Sequence, residues 1–215
     1  MRMRKKKNCG ARMENASRLL IREPVQNLGA WKNCFQNDNE IHVEIGCGKG
    51  NFCIGMAQKH PDVNFIGIEK CDDALLIALE KSVELPIDNL RFISFDAKDL
   101  KEIFTPGEIS RIYLNFSDPW PKSRHFKRRL TYKDFLDVYR EILTPDGEIQ
   151  LKTDNASLFS FSLHSFEENG FFLSERCDDL HHSEYAENNV MTEYEANFSA
   201  QGLPIHRVVA SKQQK

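Results

Sequence analysis

Residues 117–129 read Ser-Asp-Pro-Trp-Pro-Lys-Ser-Arg-His-Phe-Lys-Arg-Arg, a carboxylate, a proline-flanked indole and a run of cations in one short stretch. Asp118 can orient a polar edge, and Trp120 can stack on a flat ring. Lys122, Arg124, Lys127, Arg128 and Arg129 can hold phosphates. The apolar segment 112–116 ahead of them reads as a buried strand, so the whole set is delivered at one strand end. A nucleobase, its sugar–phosphate backbone and a reaction centre would fit that combination.

A second constellation lies upstream. Gly46-Cys47-Gly48-Lys49-Gly50 sits where a first strand, 41–45, should hand over to a helix, 51–59. Glycines there let backbone turn tightly and approach a ligand. The spacing is Gly-x-Gly-x-Gly, neither the dinucleotide fingerprint nor a phosphate-binding loop ending in Gly-Lys-Ser/Thr. Glu44 would repel a pyrophosphate at this point but suits a cationic ligand. Glu69 ends a second strand, where an acid can accept hydrogen bonds from both ribose hydroxyls. Asp96 follows a third strand, within reach of an adenine amino group. In that order the loop, Glu69 and Asp96 describe a pocket for adenosine bearing a positive charge, S-adenosyl-L-methionine. The plainer readings are a solvated strand end for Glu69 and a helix cap for Asp96.

The elements that must position these groups alternate. Strands are expected at 41–45, 65–68, 90–93, 111–116 and 148–152. Helices are expected at 51–59, 72–84, behind Thr131, and at 156–168. Thr131 with Asp134 resembles a helix-start capping pattern, and the helix behind it puts Phe135, Val138, Tyr139 and Ile142 on one face. Pro145-Asp146-Gly147 reads as a turn into the fifth strand. Phe159, Phe161, Phe166, Phe171 and Phe172 read as core. Such alternation predicts an α/β fold, a mostly parallel twisted sheet with helices on both faces. Segments near 171–176 and 205–210 would close it with an antiparallel strand. Residues 1–40 read as a basic arm and helical lead-in, and 41–215 as the main domain.

With 215 residues, 40% apolar and 28% charged, the chain has the composition of an ordinary soluble domain with room for a core. A net charge of −3 argues against a protein that coats nucleic acid, but the charge is uneven. Arg2, Arg4, Lys5, Lys6, Lys7 and Arg12 open the chain without an acid, whereas 167–195 is strongly acidic. The cysteines show no Cys-x-x-Cys pair, so neither zinc nor a disulfide scaffold is indicated. No segment reads as a secretion signal or membrane span, which makes the cytoplasm the expected compartment. His181-His182 has no third ligand at suitable spacing and reads as surface.

Taken together the chain resembles the bacterial tRNA (guanine-N7)-methyltransferases. The resemblance is carried by Val43–Gly50, Phe65–Glu69, Tyr113–Lys122, Lys127–Thr131, Lys152-Thr153-Asp154-Asn155 and Met191-Thr192-Glu193-Tyr194-Glu195. It implies a Rossmann-like class I methyltransferase using S-adenosyl-L-methionine, with tRNA as partner, no metal or membrane, and a monomer or homodimer. Cofactor contacts are implied for Glu44, Gly46, Gly48, Gly50, Glu69, Asp96 and Asp118. Substrate contacts are implied for Lys122, Asp154, Thr192, Glu193, Tyr194 and Glu195, and RNA contacts for Arg124, His125, Phe126, Lys127, Arg128 and Arg129. The implied target is N7 of a guanosine in the tRNA variable loop.

Guanine N7 carries an in-plane lone pair and no proton, so alignment rather than a strong base can drive the transfer. Asp118 then serves as an electrostatic and orienting group. Asp154 or Glu195 could read the donors of the guanine edge, the bland alternative for Asp154 being an N-cap of the 156–168 helix. Trp120 either stacks on the base or packs under the cofactor loop. Methylation of an exocyclic amine is disfavoured by Asp-Pro-Trp-Pro in place of Asp/Asn-Pro-Pro-aromatic. A nicotinamide enzyme is disfavoured by the glycine spacing and Glu44, and a non-catalytic RNA-binding module by the set of cofactor acids.

Overall fold

A computed structural model describes residues 6–15 and 18–213. Arg2, Arg4 and Lys5 of the expected basic arm lie outside them. The chain forms two compact units, 1–104 and 105–215.

In the first unit, helices α1 (Cys9–Asn15) and α2 (Trp31–Phe35) precede β1 (Ile41–Ile45), α3 (Asn51–Lys59), β2 (Asn64–Glu69), α4 (Asp72–Ser82) and β3 (Leu90–Ser94). The strands are parallel in the order β3-β2-β1, with Val43 opposite Ile66 and Ile66 opposite Arg91. Every residue of β1 is buried, the near-continuous run expected of a parallel strand. Each parallel pair is joined through a helix, the long crossover that parallel neighbours require. α4 buries Leu75, Leu76 and Leu79 as its spacing predicts, and ends at Ser82, so Val83 falls just beyond it. A Cβ on Gly67 would lie 2.6 Å from the Phe92 ring, so only glycine lets β2 and β3 close here.

The second unit contains β4 (Ile109–Asn115), α5 (Lys133–Ile142), β5 (Leu143–Thr153), α6 (Ala156–Glu168), β6 (Phe172–Cys177), α7 (Glu193–Ser199) and β7 (His206–Ser211). Their order is β4-β5-β7-β6: β4 and β5 are parallel, while β7 runs antiparallel to both β5 and β6. The fold is thus α/β and mostly parallel, with antiparallel strands at the C-terminal end, as the alternation predicts.

Four local expectations need correction. Pro145-Asp146-Gly147 does not precede β5 but bulges within it, since Ile109 pairs with Leu143 and Arg111 already with Glu148. Thr131 does not cap α5. Tyr132 holds that position without a side-chain bond, and the buried Thr131 hydroxyl pairs with Ser162 Oγ at 2.7 Å. Leu136 rather than Val138 completes the buried face of α5. Phe172 is 46% exposed and Phe161 is half-buried, whereas Phe159, Phe166 and Phe171 do lie in the core.

β5 carries the feature that matters most for the site. Ile149 and Leu151 alternate with Glu148, Gln150 and Lys152, and all are buried. The polar set is matched by charge: Glu148 pairs with Arg111, Gln150 accepts from Arg207 at 3.2 Å, and Lys152 pairs with Glu195 at 2.7 Å. Neither side chain of that last pair has any exposed surface.

Candidate active site

In the first unit, the acids singled out from sequence stand at the C-terminal ends of parallel strands, the position where open α/β sheets bind ligands. Glu44 is the penultimate residue of β1, Glu69 the last of β2, and Asp96 follows β3. The loop after β1 is tied down because the Gly46 and Cys47 amides both donate to the Ile68 carbonyl, at 2.8 and 3.0 Å. Gly46, Gly48 and Gly50 all take left-handed φ, of 80°, 55° and 76°. A Cβ on Gly46 or Gly48 would enter open space, so bare backbone faces room for a ligand. One on Gly50 would sit 2.7 Å from Ala78 Cβ, so that glycine serves packing.

The acids also brace this loop. Glu69 Oε2 accepts from the Gly48 amide at 3.0 Å and Oε1 from the Cys71 amide at 2.8 Å. Glu44 is 3% exposed and accepts from Cys53 Sγ at 3.0 Å. Burial, followed by the nearby Glu44 charge, pushes the Cys53 thiol well above its ordinary pKa, which keeps it a donor. The Cys47 thiol is raised for the same reasons, with Glu69 adding to Glu44, so both acids act on one loop residue. Asp96 does cap, accepting from the Lys98 amide at 3.1 Å, and it remains half-buried beside the strand end. A buried Glu44 with half-buried Glu69 and Asp96, around the glycine backbone, suits adenosine with a cationic tail.

In the second unit, Asp118 is exposed on the turn that follows β4. Phe116 and Trp120 flank it at φ 52° and 42°, a region bulky L-residues rarely enter. Each such residue costs on the order of 1–3 kcal/mol and persists only where its surroundings enforce it. Tyr194 is 50% exposed, with its ring 5.4 Å from Phe116 and stacked 4.6 Å from Phe198. Its phenol pKa is raised by partial burial and then by the charges of Asp154 and Asp118. Asp154 is not the α6 cap: Asn155 Oδ1 accepts from the Leu158 amide at 2.8 Å, leaving Asp154 at the strand end for other work.

Glu195 departs from expectation. It was a candidate to read a guanine edge, yet it has no exposed surface. Oε2 takes Lys152 Nζ at 2.7 Å, and Oε1 takes Asn189 Nδ2 at 2.5 Å. With Thr192 it forms a reciprocal capping box that starts α7. Lys152 Nζ also donates to Asn189 Oδ1 and the Val190 carbonyl, both at 3.0 Å, so one buried cation gathers the chain leading into α7. His181, expected at the surface, places Nε2 3.3 Å from Glu195 Oε1 with a quarter of its side chain exposed. Glu195 and Thr192 therefore position Tyr194, while Glu193 is half-buried beside it.

The basic loop divides as well. Lys122, Arg124, Lys127 and Arg128 are exposed and Phe126 is 37% exposed, whereas His125 and Arg129 are half-buried. Trp120 is half-buried rather than bare. The Arg128 guanidinium lies 4.9 Å over its ring, and the His125 ring meets it edge-on at 5.7 Å. Among the described residues there is no cluster of three or more His, Cys, Asp or Glu that could hold a metal, and no helix long and apolar enough to cross a membrane.

Residues 38–208 match a family model described as "Putative methyltransferase". A tRNA (guanine-N(7)-)-methyltransferase of Lachnoclostridium phytofermentans is 51% identical over 91% of this chain and 92% of its own. One of Bacillus cytotoxicus is 50% identical over 98% of this chain and 96% of its own. This chain belongs to the tRNA (guanine-N7)-methyltransferase family. Solved structures agree on the class I methyltransferase fold. A 16S rRNA methyltransferase, KamB, matches 85% of this chain and 92% of its own at TM-score 0.65 and 10% identity. A precorrin-6y C5,15-methyltransferase from Geobacter metallireducens matches 98% and 94% at TM-score 0.56 and 13% identity. Lys152 belongs to a segment that carries the resemblance but has no role in the sequence reading, although a lysine alternating with Ile149 and Leu151 on a buried strand was the available signal.

Proposed function

We propose that this chain methylates N7 of a guanosine in the variable loop of tRNA, using S-adenosyl-L-methionine. The observation that carries the reading is about half identity to tRNA (guanine-N7)-methyltransferases over nearly the whole of both chains. In the second unit, an exposed Asp118 on the turn after β4 and Asp154 just past the end of β5 support it. S-adenosyl-L-methionine supplies an electrophilic methyl group on a sulfonium when bound. On the first unit, Glu44 faces the cationic end, and the acceptor directions of Glu69 not used by amides receive ribose hydroxyls. Asp96 receives the adenine amino group, and the backbone at Gly46 and Gly48 gives close approach.

On the second unit, the half-exposed Tyr194 offers its ring to the purine, while the Arg128 guanidinium lies over one face of Trp120. Asp154 accepts the N1–H and amino donors of guanine, a pairing adenine cannot make. Asp118 stabilises the positive charge that grows on the purine as N7 is alkylated, and no base is needed because N7 bears no proton. Lys122, Arg124, Lys127 and Arg128 meet phosphates. A nucleotide held in the folded tRNA must be loosened or extruded to reach such a site.

Asp154→Ala separates recognition from cofactor binding. Methylation falls by about 10²-fold or more, because an unpaired guanine edge costs a few kcal/mol, while S-adenosyl-L-methionine affinity stays at the wild-type value. Calorimetry of cofactor binding beside single-turnover transfer checks this. Unchanged turnover would remove Asp154 from the site.

A further inference from the structure

We infer that Arg129 is a positioning residue for the Asp118 turn rather than an RNA-phosphate contact. This rests on the reading of Asp118 as the catalytic group. Arg129 ends the basic run, and by sequence it is indistinguishable from Lys127 and Arg128. Its environment is different. Nε donates to the Pro119 carbonyl at 2.9 Å and an Nη to the Trp120 carbonyl at 3.3 Å. The face of the guanidinium lies 4.4 Å over the ring of Phe161 on α6. Arg129 is half-buried by these contacts, whereas Lys127 and Arg128 are exposed, the latter lying over the Trp120 ring.

The turn needs such a clasp. Pro119 and Pro121 have no N–H with which to hold it, and Phe116 and Trp120 sit at left-handed φ on either side of Asp118. A planar fork supplies two parallel donors to successive carbonyls and stacks on an aromatic ring at once. An ammonium cannot do both. Arg129 thus ties the Asp-Pro-Trp-Pro turn to α6 and fixes where the Asp118 carboxylate stands.

The deciding variant is Arg129→Lys, which keeps the charge a phosphate would need and removes the fork. We expect tRNA affinity and its salt dependence to stay at wild-type values, while the transfer rate from the bound complex falls about 10- to 100-fold through misplacement. Arg128→Ala, measured alongside, lowers the slope of log affinity against log salt by about 1. Wild-type transfer by Arg129→Lys would overturn the inference. So would an Arg129→Ala protein whose salt slope drops by about 1 while its bound-state transfer is unchanged. A wild-type affinity indifferent to salt would instead overturn the tRNA reading itself, so the two failures are distinguishable.

Discussion

Lys152→Met destabilises the protein by about 3–5 kcal/mol, because it takes the lysine ammonium away from a Glu195 carboxylate that has no exposed surface. Domains of this kind have about 5–15 kcal/mol in total, so the urea midpoint moves far down. The partner replacement Lys152→Met with Glu195→Leu recovers most of that loss, since an apolar pair of similar volume leaves no charge buried. Catalysis does not recover with it. Lys152 also holds the Asn189 side chain and the Val190 carbonyl, and Glu195 completes the capping box that starts α7. Tyr194 therefore loses its fixed place, and the double variant folds but transfers methyl poorly to tRNA. Urea melts paired with single-turnover assays measure both halves. A double variant with full activity would show that the buried pair does nothing for Tyr194.

Asp118→Asn lowers the transfer rate by about 10²–10³-fold, the usual cost of removing one preorganised electrostatic group from a reaction centre. The amide keeps the shape of the side chain and one acceptor, so tRNA affinity changes little. What disappears is the negative charge that opposes the positive charge developing on the purine. Stability holds or rises slightly, since Asp118 is exposed and no buried partner is left behind. Rapid-quench measurement of transfer within the bound complex isolates this effect from binding. A loss confined to KM would assign Asp118 to binding rather than to the chemical step.

The parts of this molecule legible in sequence are those set by local pattern. The bounds of β1 and α3 follow from an apolar run, a glycine loop and a helical repeat, and the structure returns 41–45 and 51–59 unchanged. The same holds for α6, whose capping residue is nonetheless Asn155 and not its neighbour Asp154. What could not be read depends on partners distant in the chain. The hydroxyl of Thr131 resembles a cap until Ser162, thirty-one residues on, is seen to claim it. Glu195 resembles a surface acid until Lys152, forty-three residues back, is found opposite it. Arg129 resembles its basic neighbours because only its contact with two proline-turn carbonyls and Phe161 distinguishes it. Burial of polar groups is decided by three-dimensional pairing, and residue type alone gives the opposite expectation.

Mapping the transferred methyl group itself tests the proposed function without an intermediary. Purified protein is incubated with methyl-labelled S-adenosyl-L-methionine and unmodified tRNA transcripts, with and without a guanosine in the variable loop, and cleavage specific for 7-methylguanosine locates the label. Label is expected at that guanosine and is lost when adenosine replaces it. Label at another position, or none despite demonstrable cofactor binding, would contradict the proposed function.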